Sequence, residues 1–342
     1  MYKNIGAFVE YLESQGELTR VKEFADPSSL IAARSREEAL QPDGGKALLF
    51  ENTGAGYPVL TNVFASSRRM GMIIGADSPQ DICRRAEKMR EALLQMGQGV
   101  KGPLEALSLS RRMSAWTPFF RSGHPACQDS IQNISHLSLI PFTKNTAGSP
   151  AVLSPALVNS KHPSGGDRAL EANTLYILDE CTAGLKIPDH GEISSHLKQC
   201  THRLPLAVCL GGDPLFPLIA AAPKAGGIDP YFLAGFFRGK GVRLTRAFTQ
   251  DIDIPCESDI VIEGYIQKSE ESAEEGLRKL HVTCITHRRD AVLPLMVGGP
   301  KSPDKENVRQ AVEQIFVEPL RRTVSRTNDL LLLAEEVFYG AH

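Results

Sequence analysis

IPCESDIVIEGYI, Ile254–Ile266, decides how the middle of the chain is read. Three carboxylates, Glu257, Asp259 and Glu263, stand among Ile260, Val261, Ile262, Tyr265 and Ile266, with Pro255 and Gly264 as bounds. A short β-branched run punctuated in this way predicts a buried strand, although its apolar residues do not alternate strictly. Carboxylates are seldom fully buried without partners. Two readings therefore stand side by side: acids of an active site, or the solvated or ion-paired side of a structural strand.

Working outward, NTLYILDE, LPLAVCLGG, GVRLTRAF and HVTCITHR share the same character, so strand follows short strand from about Ser122 to Thr286. PLFPLIAAA and PYFLAGFFRG are the helical interruptions. This is a β-rich unit, a barrel or split barrel. Before it, Ile5, Phe8, Val9 and Leu12 mark one helical face stopped by Gly16, and Asp26-Pro27 opens a second helix. KALLFE and PVLTNVFA read as strands, and Ser78-Pro79 opens a helix striped by Ile82, Ala86, Met89 and Leu93. After the β-rich unit, SPDKENVRQAVEQIFVEPLRRTV predicts a capped helix with Val308, Val312, Ile315 and Phe316 on one face. The fold class is α+β, divided into an N-terminal α/β domain (1–115), a central β-barrel (116–300) and a C-terminal helix (301–342).

At 342 residues the chain exceeds what one core usually serves. Lys plus Arg (38) nearly cancels Asp plus Glu (40), and the net charge of −2 gives no case for nucleic acid or a membrane surface. Seven cysteines form no C-x-x-C pair, which fits reduced thiols in the cytoplasm. The N-terminus has no signal-peptide pattern, and LLLLA at Leu330–Ala334 is too short to span a bilayer. The GQGVKGP loop, Gly97–Pro103, matches the spacing of a dinucleotide fingerprint but follows a helix rather than a strand, so it reads as a hinge. His190, His196 and His202 recur every six residues, a spacing that suits surface positions better than a metal cluster. Cys209, inside an apolar run, reads as core.

Two stretches carry a family resemblance: FVEYLESQGELTRVKEFADP with KALLFENTGAGYPVLTNVFASSRRM, and LPLAVCLGG through DIVIEGYIQ. Together they resemble the UbiD family of carboxy-lyases, decarboxylases of aromatic and α,β-unsaturated acids that use prenylated flavin mononucleotide. The resemblance runs from about Ile5 to Pro319. It implies an N-terminal α/β domain, a central flavin-reductase-like split barrel that carries the cofactor, and a C-terminal domain largely missing here. A truncated form, or a partner chain that supplies the remainder, is then expected, as a homo-oligomer or a hetero-oligomer.

What the resemblance implies for the site is uneven. The family's arginine falls at Asn173, and its asparagine for phosphate and metal falls at Arg168. Glu275 matches the first acid, whereas Leu280 stands at the second. His190 matches a metal-binding histidine, and the metal-binding glutamate falls at Pro230 with Asp229 beside it. Cofactor contacts are expected at Arg168, Asn173, His190, Ala222 and Pro223. A divalent metal such as Mn²⁺, with K⁺, would depend on His190 and Asp229. Glu257, Asp259 and Glu263 lie upstream of the acid positions and are expected to be structural. Two functions remain open. One is a decarboxylase with Glu275 as acid/base, Asn173 orienting a small aromatic or unsaturated acid, and Arg168 on the phosphate. The other is a catalytically degenerate subunit that stabilises or completes a partner decarboxylase.

Overall fold

The computed structural model describes residues 2–76, 113–132, 136–144, 150–223, 228–270, 276–297 and 302–317, with isolated positions between 81 and 111. Helix α1 (Ile5–Ser14) starts where the Asn4 side chain accepts the Ala7 N–H at 2.8 Å, and it buries Ile5, Phe8, Val9 and Leu12. Gly16 follows its end with φ +70°, as expected of a helix stop. Strand β1 (Leu18–Phe24), helix α2 (Ala32–Ala39), strands β2 (Ala47–Asn52) and β3 (Val59–Thr61) and helix α3 (Ser67–Ile74) complete the N-terminal part. β1 runs parallel to β2 and β2 antiparallel to β3. The fourth strand of this sheet, Leu293–Leu295, arrives from the far end of the chain and lies parallel to β3. Ser78-Pro79 with the stripe of Ile82, Ala86, Met89 and Leu93, the Gly97–Pro103 loop and the Leu330–Ala334 run lie outside the described residues.

After the short strands β4 (Phe119–Phe120), β5 (Ser130–Ile131) and β6 (Thr143–Lys144) come β7 (Ala151–Lys161), β8 (Arg168–Ile177) and β9 (Thr182–Lys186). Helix α4 (Glu192–Gln199), strand β10 (Arg203–Leu210) and helices α5 (Phe216–Ala221) and α6 (Pro230–Arg238) follow. Strands β11 (Arg243–Arg246), β12 (Asp253–Pro255), β13 (Ile260–Gln267), β14 (Leu277–His287) and β15 (Leu293–Leu295) and helix α7 (Pro303–Val312) end the series. Six of these strands form a closed antiparallel barrel in the order β10-β13-β14-β9-β8-β7, with β7 pairing back to β10.

Closure explains the imperfect alternation of the opening stretch. Ile260 and Ile262 pack with Val158, Leu175, Leu206 and Val208 in one core. Val261 packs with Leu170, Ala172 and Cys209 in the other, which also holds residues of α5, α6 and α7. A strand buried on both faces reads as a continuous apolar run. Gly264 does not bound the run. It lies inside β13 at a bulge, where a Cβ would meet the His281 carbonyl oxygen at 2.1 Å. Helix α7 and the helical turn Glu313–Val317 that continues it bury Val308, Val312, Ile315 and Phe316, the face read from the sequence, and Asp304 of α7 accepts the Phe64 N–H at 2.7 Å.

The three carboxylates of Ile254–Ile266 divide. Glu257 is ion-paired, 2.6 Å from Arg288 Nη1, as expected. Asp259 and Glu263 are fully buried and serve backbone donors, so a solvated or ion-paired role does not hold for them. Glu263 accepts the Phe248 N–H at 2.7 Å and the Thr249 N–H at 2.6 Å. Asp259 accepts the Gly212 N–H at 2.8 Å and the Val292 N–H at 3.1 Å. Loops that cross a barrel end bring buried N–H groups that need acceptors, and the carboxylates supply them. Gly211 must be glycine for this contact: its φ is +79°, and a Cβ would sit 2.3 Å from Asp259 Oδ2.

Asp259→Ala should cost roughly 2–6 kcal/mol, about 1–3 for each of the stranded Gly212 and Val292 N–H groups alone, as read by urea unfolding. Burial pushes the Asp259 pKa up to about 7, against the lowering effect of the backbone donors and Arg288. Unfolded, the carboxyl ionises at about 4. Its contribution to stability is therefore full below about 4 and is lost as pH rises through about 7. A pH series of unfolding curves should show a falling slope in that window, which Asp259→Asn flattens.

Candidate functional site

The outer face of β8 carries the site. Ala169 and Leu175 pack in one core, whereas Leu170 and Ala172 pack in the other, against the helices. Arg168, at the start of the strand, donates from Nε to Asp253 Oδ2 at 2.8 Å and from Nη1 to Asp229 Oδ2. Burial opposes its charge, but the two carboxylates outweigh that and hold its pKa above the ordinary value. Asp229 is also the N-cap of α6: Oδ1 accepts the Tyr231 N–H at 2.8 Å, and Pro230 takes the first helical position, where no N–H is needed. Asp253 is 8% exposed and sits 3.5 Å through Oδ1 from Arg246 Nε.

A cavity of about 320 Å³ opens beside this cluster, lined by Arg168 and Asp229 and by Asp167, Glu192, His162 and His196 among others. Its far wall is α4. Glu171 of β8 fixes that helix by accepting the Ile193 N–H at 2.9 Å, and a Cβ on Gly191 would lie 2.8 Å from the same carboxylate. His196, expected at the surface, is buried. Its Nδ1 lies 2.7 Å from Ser160 Oγ, and burial lowers its pKa. The six-residue spacing misled because α4 turns His196 inward, whereas His190 and His202 are exposed. Cys209 is core, as read, and burial pushes its thiol up to about 12.

Of the residues picked from the sequence, Arg168 and Asp229 come together. Asn173 lies five residues further along β8, about 17 Å at the rise of a strand. Its Nδ2 donates to the Lys186 carbonyl at 2.6 Å, and its Oδ1 accepts the Thr174 N–H at 2.8 Å. His190 is exposed in the turn before α4. Ala222 is buried at the end of α5 with Pro223 half-buried behind it. Glu275 lies outside the described residues. Asp253 was missed. Its one sequence signal was a carboxylate between Ile252 and Ile254, which a surface strand would show equally well.

The residues present do not fit a divalent metal. Both Asp229 oxygens are engaged, Pro230 offers none, and no group of three or more His, Cys, Asp or Glu among the described residues is disposed to hold an ion. An anion is served better. A guanidinium has five N–H donors, and the two carboxylates are held by two of them.

Residues 120–301, more than half of the chain, match the family model described as the 3-octaprenyl-4-hydroxybenzoate carboxy-lyase Rift-related domain. Residues 9–89 match the N-terminal domain of the same carboxy-lyase. The chain therefore belongs to the UbiD family. An uncharacterized protein of Aquifex aeolicus is 27% identical over 99% of this chain and 73% of its own length. The UbiD-class enzyme HmfF from Pelotomaculum thermopropionicum, solved with FMN, superposes with a TM-score of 0.75 at 22% identity, over 94% of this chain and 71% of that one. Vanillic acid decarboxylase from Sedimentibacter hydroxybenzoicus in its closed form gives 0.78 at 21% identity, over 95% and 70%. No helix among the described residues is long and apolar enough to cross a membrane.

Asp229 holds a charge partner and a helix cap at once, and two substitutions separate these tasks. Asp229→Asn keeps a capping acceptor but loses the charge. It should retain about 1 kcal/mol more stability than Asp229→Ala in denaturant unfolding. Equal losses would mean that the cap contributes nothing.

Proposed function

We propose that the chain is a carboxy-lyase that removes CO₂ without oxidation from a small aromatic or α,β-unsaturated acid, with prenylated FMN as cofactor. Family membership over both matched segments carries this reading. The cofactor, when bound, supplies the electron-accepting chemistry that decarboxylation needs. This chain's residues do the rest. Arg168 offers its remaining donors to the phosphate, a charge-assisted contact. His190, Ala222 and Pro223 are the further cofactor contacts. Asn173 orients the substrate carboxylate through its second amide hydrogen, the first being held by Lys186. Glu275 returns a proton to the carbon that loses CO₂.

A specific observation favours a second reading, a subunit that completes a partner decarboxylase. Among the described lining residues, Arg168 is one guanidinium against the carboxylates of Asp167, Glu192 and Asp229. A phosphate with nearly two negative charges gains little from a lining in which carboxylates outnumber the guanidinium. Asn173 likewise supplies a hydrogen bond without charge, weaker by about 1.5–3 kcal/mol than a charged donor.

Co-expression with a flavin prenyltransferase decides between them. The first reading expects a bound prenylated flavin near one per chain by native mass and absorption, with CO₂ release from a panel of small aromatic acids. Glu275→Gln should then lower turnover by about 100- to 10,000-fold while flavin stays bound. A folded, colourless protein would overturn the first reading and direct the search to a partner chain.

A further inference from the structure

We infer that Arg168 is a built-in cation standing where a divalent metal would otherwise sit, so that this chain binds no Mn²⁺ or Mg²⁺ at the junction of β8, β12 and α6. The inference takes from the family reading the His, Asn and Glu ligand set it departs from, but it does not require the chain to be an active enzyme.

Asp229 and Asp253 come from separate elements and converge on one point. Asp253 is nearly buried, at 8% exposure, and Asp229 is half-buried. Two carboxylates brought together out of water repel strongly unless a cation lies between them. Here the cation is a side chain: Nε takes one carboxylate at 2.8 Å and Nη1 takes the other. Of the remaining oxygens, only that of Asp229 is hydrogen-bonded; Asp253 Oδ1 is buried without a hydrogen-bond partner. Asp229 Oδ1 caps α6, and Asp253 Oδ1 faces Arg246. A metal entering this cluster would displace the guanidinium or sit beside a like charge.

The substitutions balance in charge. Against the ligand set that the family resemblance implies, arginine at 168 for asparagine adds one positive charge, and proline at 230 for glutamate removes one negative charge. The local protein charge rises by two, the charge of one divalent ion. The two changes are one exchange, a bound metal for a fixed guanidinium. Removing the guanidinium alone should then leave two converging carboxylates with no cation between them and only Arg246 3.5 Å from the outer oxygen of Asp253, a site for a hard divalent ion.

The test uses the full chain and Mn²⁺ alone, followed by the electron paramagnetic resonance signal of free Mn²⁺ and by thermal unfolding. Wild type should leave the free signal undiminished and its Tm unmoved. Arg168→Ala should unfold at lower temperature, bind about one Mn²⁺ with a Kd of roughly 10⁻⁴–10⁻³ M, and recover part of its lost Tm when Mn²⁺ is added. Arg168→Gln, which keeps most of the side-chain volume, serves the same purpose if the alanine variant fails to fold. Adding Asp253→Asn to either variant should abolish the binding. One Mn²⁺ bound by wild type and lost in Asp253→Asn would overturn the inference, and so would folded Arg168 variants that bind none. Neither result depends on flavin or turnover, so a chain without decarboxylase activity would leave the metal measurement intact.

Discussion

A single buried carboxylate joins the two halves of this molecule. Asp259 stands at the entry to β13, and its oxygens accept N–H groups from Gly212 before α5 and from Val292 before β15. Ile5, at the start of α1, donates to it as well. Its own N–H and carbonyl continue the barrel edge, to Leu210 at 3.0 Å and from Arg288 at 2.9 Å. β15 completes the N-terminal sheet, so the register of that sheet against the barrel depends on where Asp259 holds Val292. Without a buried acceptor here, the donors of three segments would be stranded at one place, each at a cost comparable to the net worth of several ordinary hydrogen bonds. Gly211, where a Cβ would lie 2.3 Å from Oδ2, lets the chain approach this carboxylate closely.

The site follows from the same closure. With both faces of β8 covered, a polar residue on it must be paired, and each one is tied to a neighbouring element. Arg168 reaches β12 and the cap of α6, Glu171 holds the start of α4, and Asn173 bridges to the end of β9. The strand thus positions the helices that wall the cavity through charged contacts, while Leu170 and Ala172 hold it to the core. Tyr231, in the first turn of α6, adds a buried hydroxyl that donates to Asn159 of β7.

Much of the architecture was legible because burial writes itself into composition. β10, β13 and β14 are β-branched runs between glycine, proline and aspartate, and their place in a barrel could be read directly. β7 was missed although it is 11 residues long and central to closure. Pro155 lies within it, and a proline in a run argues against a central strand. α4 was missed because eight residues with two serines and a histidine carry a weak helical signal. At the site, the pairing of Arg168 with Asp229 joins residues 61 apart, and that with Asp253 joins residues 85 apart. No local pattern encodes such distances. The resemblance supplied the positions 168 and 229, and it was silent on Asp253 because that residue's importance arises from the arginine it answers.

Exchanging a metal for a guanidinium changes what kind of site this is. A metal ion is a removable point charge whose ligands tolerate several arrangements. Arginine is covalently fixed, always charged, and presents its donors in one plane. A carboxylate or phosphate is bound well only if it arrives along the free edge of that plane. The same fixity removes a dependence: a site that needs no metal has no affinity to lose when the ion is scarce. It also removes a lever, because a divalent ion adds net positive charge to a cavity, whereas Arg168 arrives already neutralised by Asp229 and Asp253. The cavity beside it therefore selects by the geometry of donors rather than by the size of a charge. A ligand that binds here must match the arginine's open edge and the walls of α4.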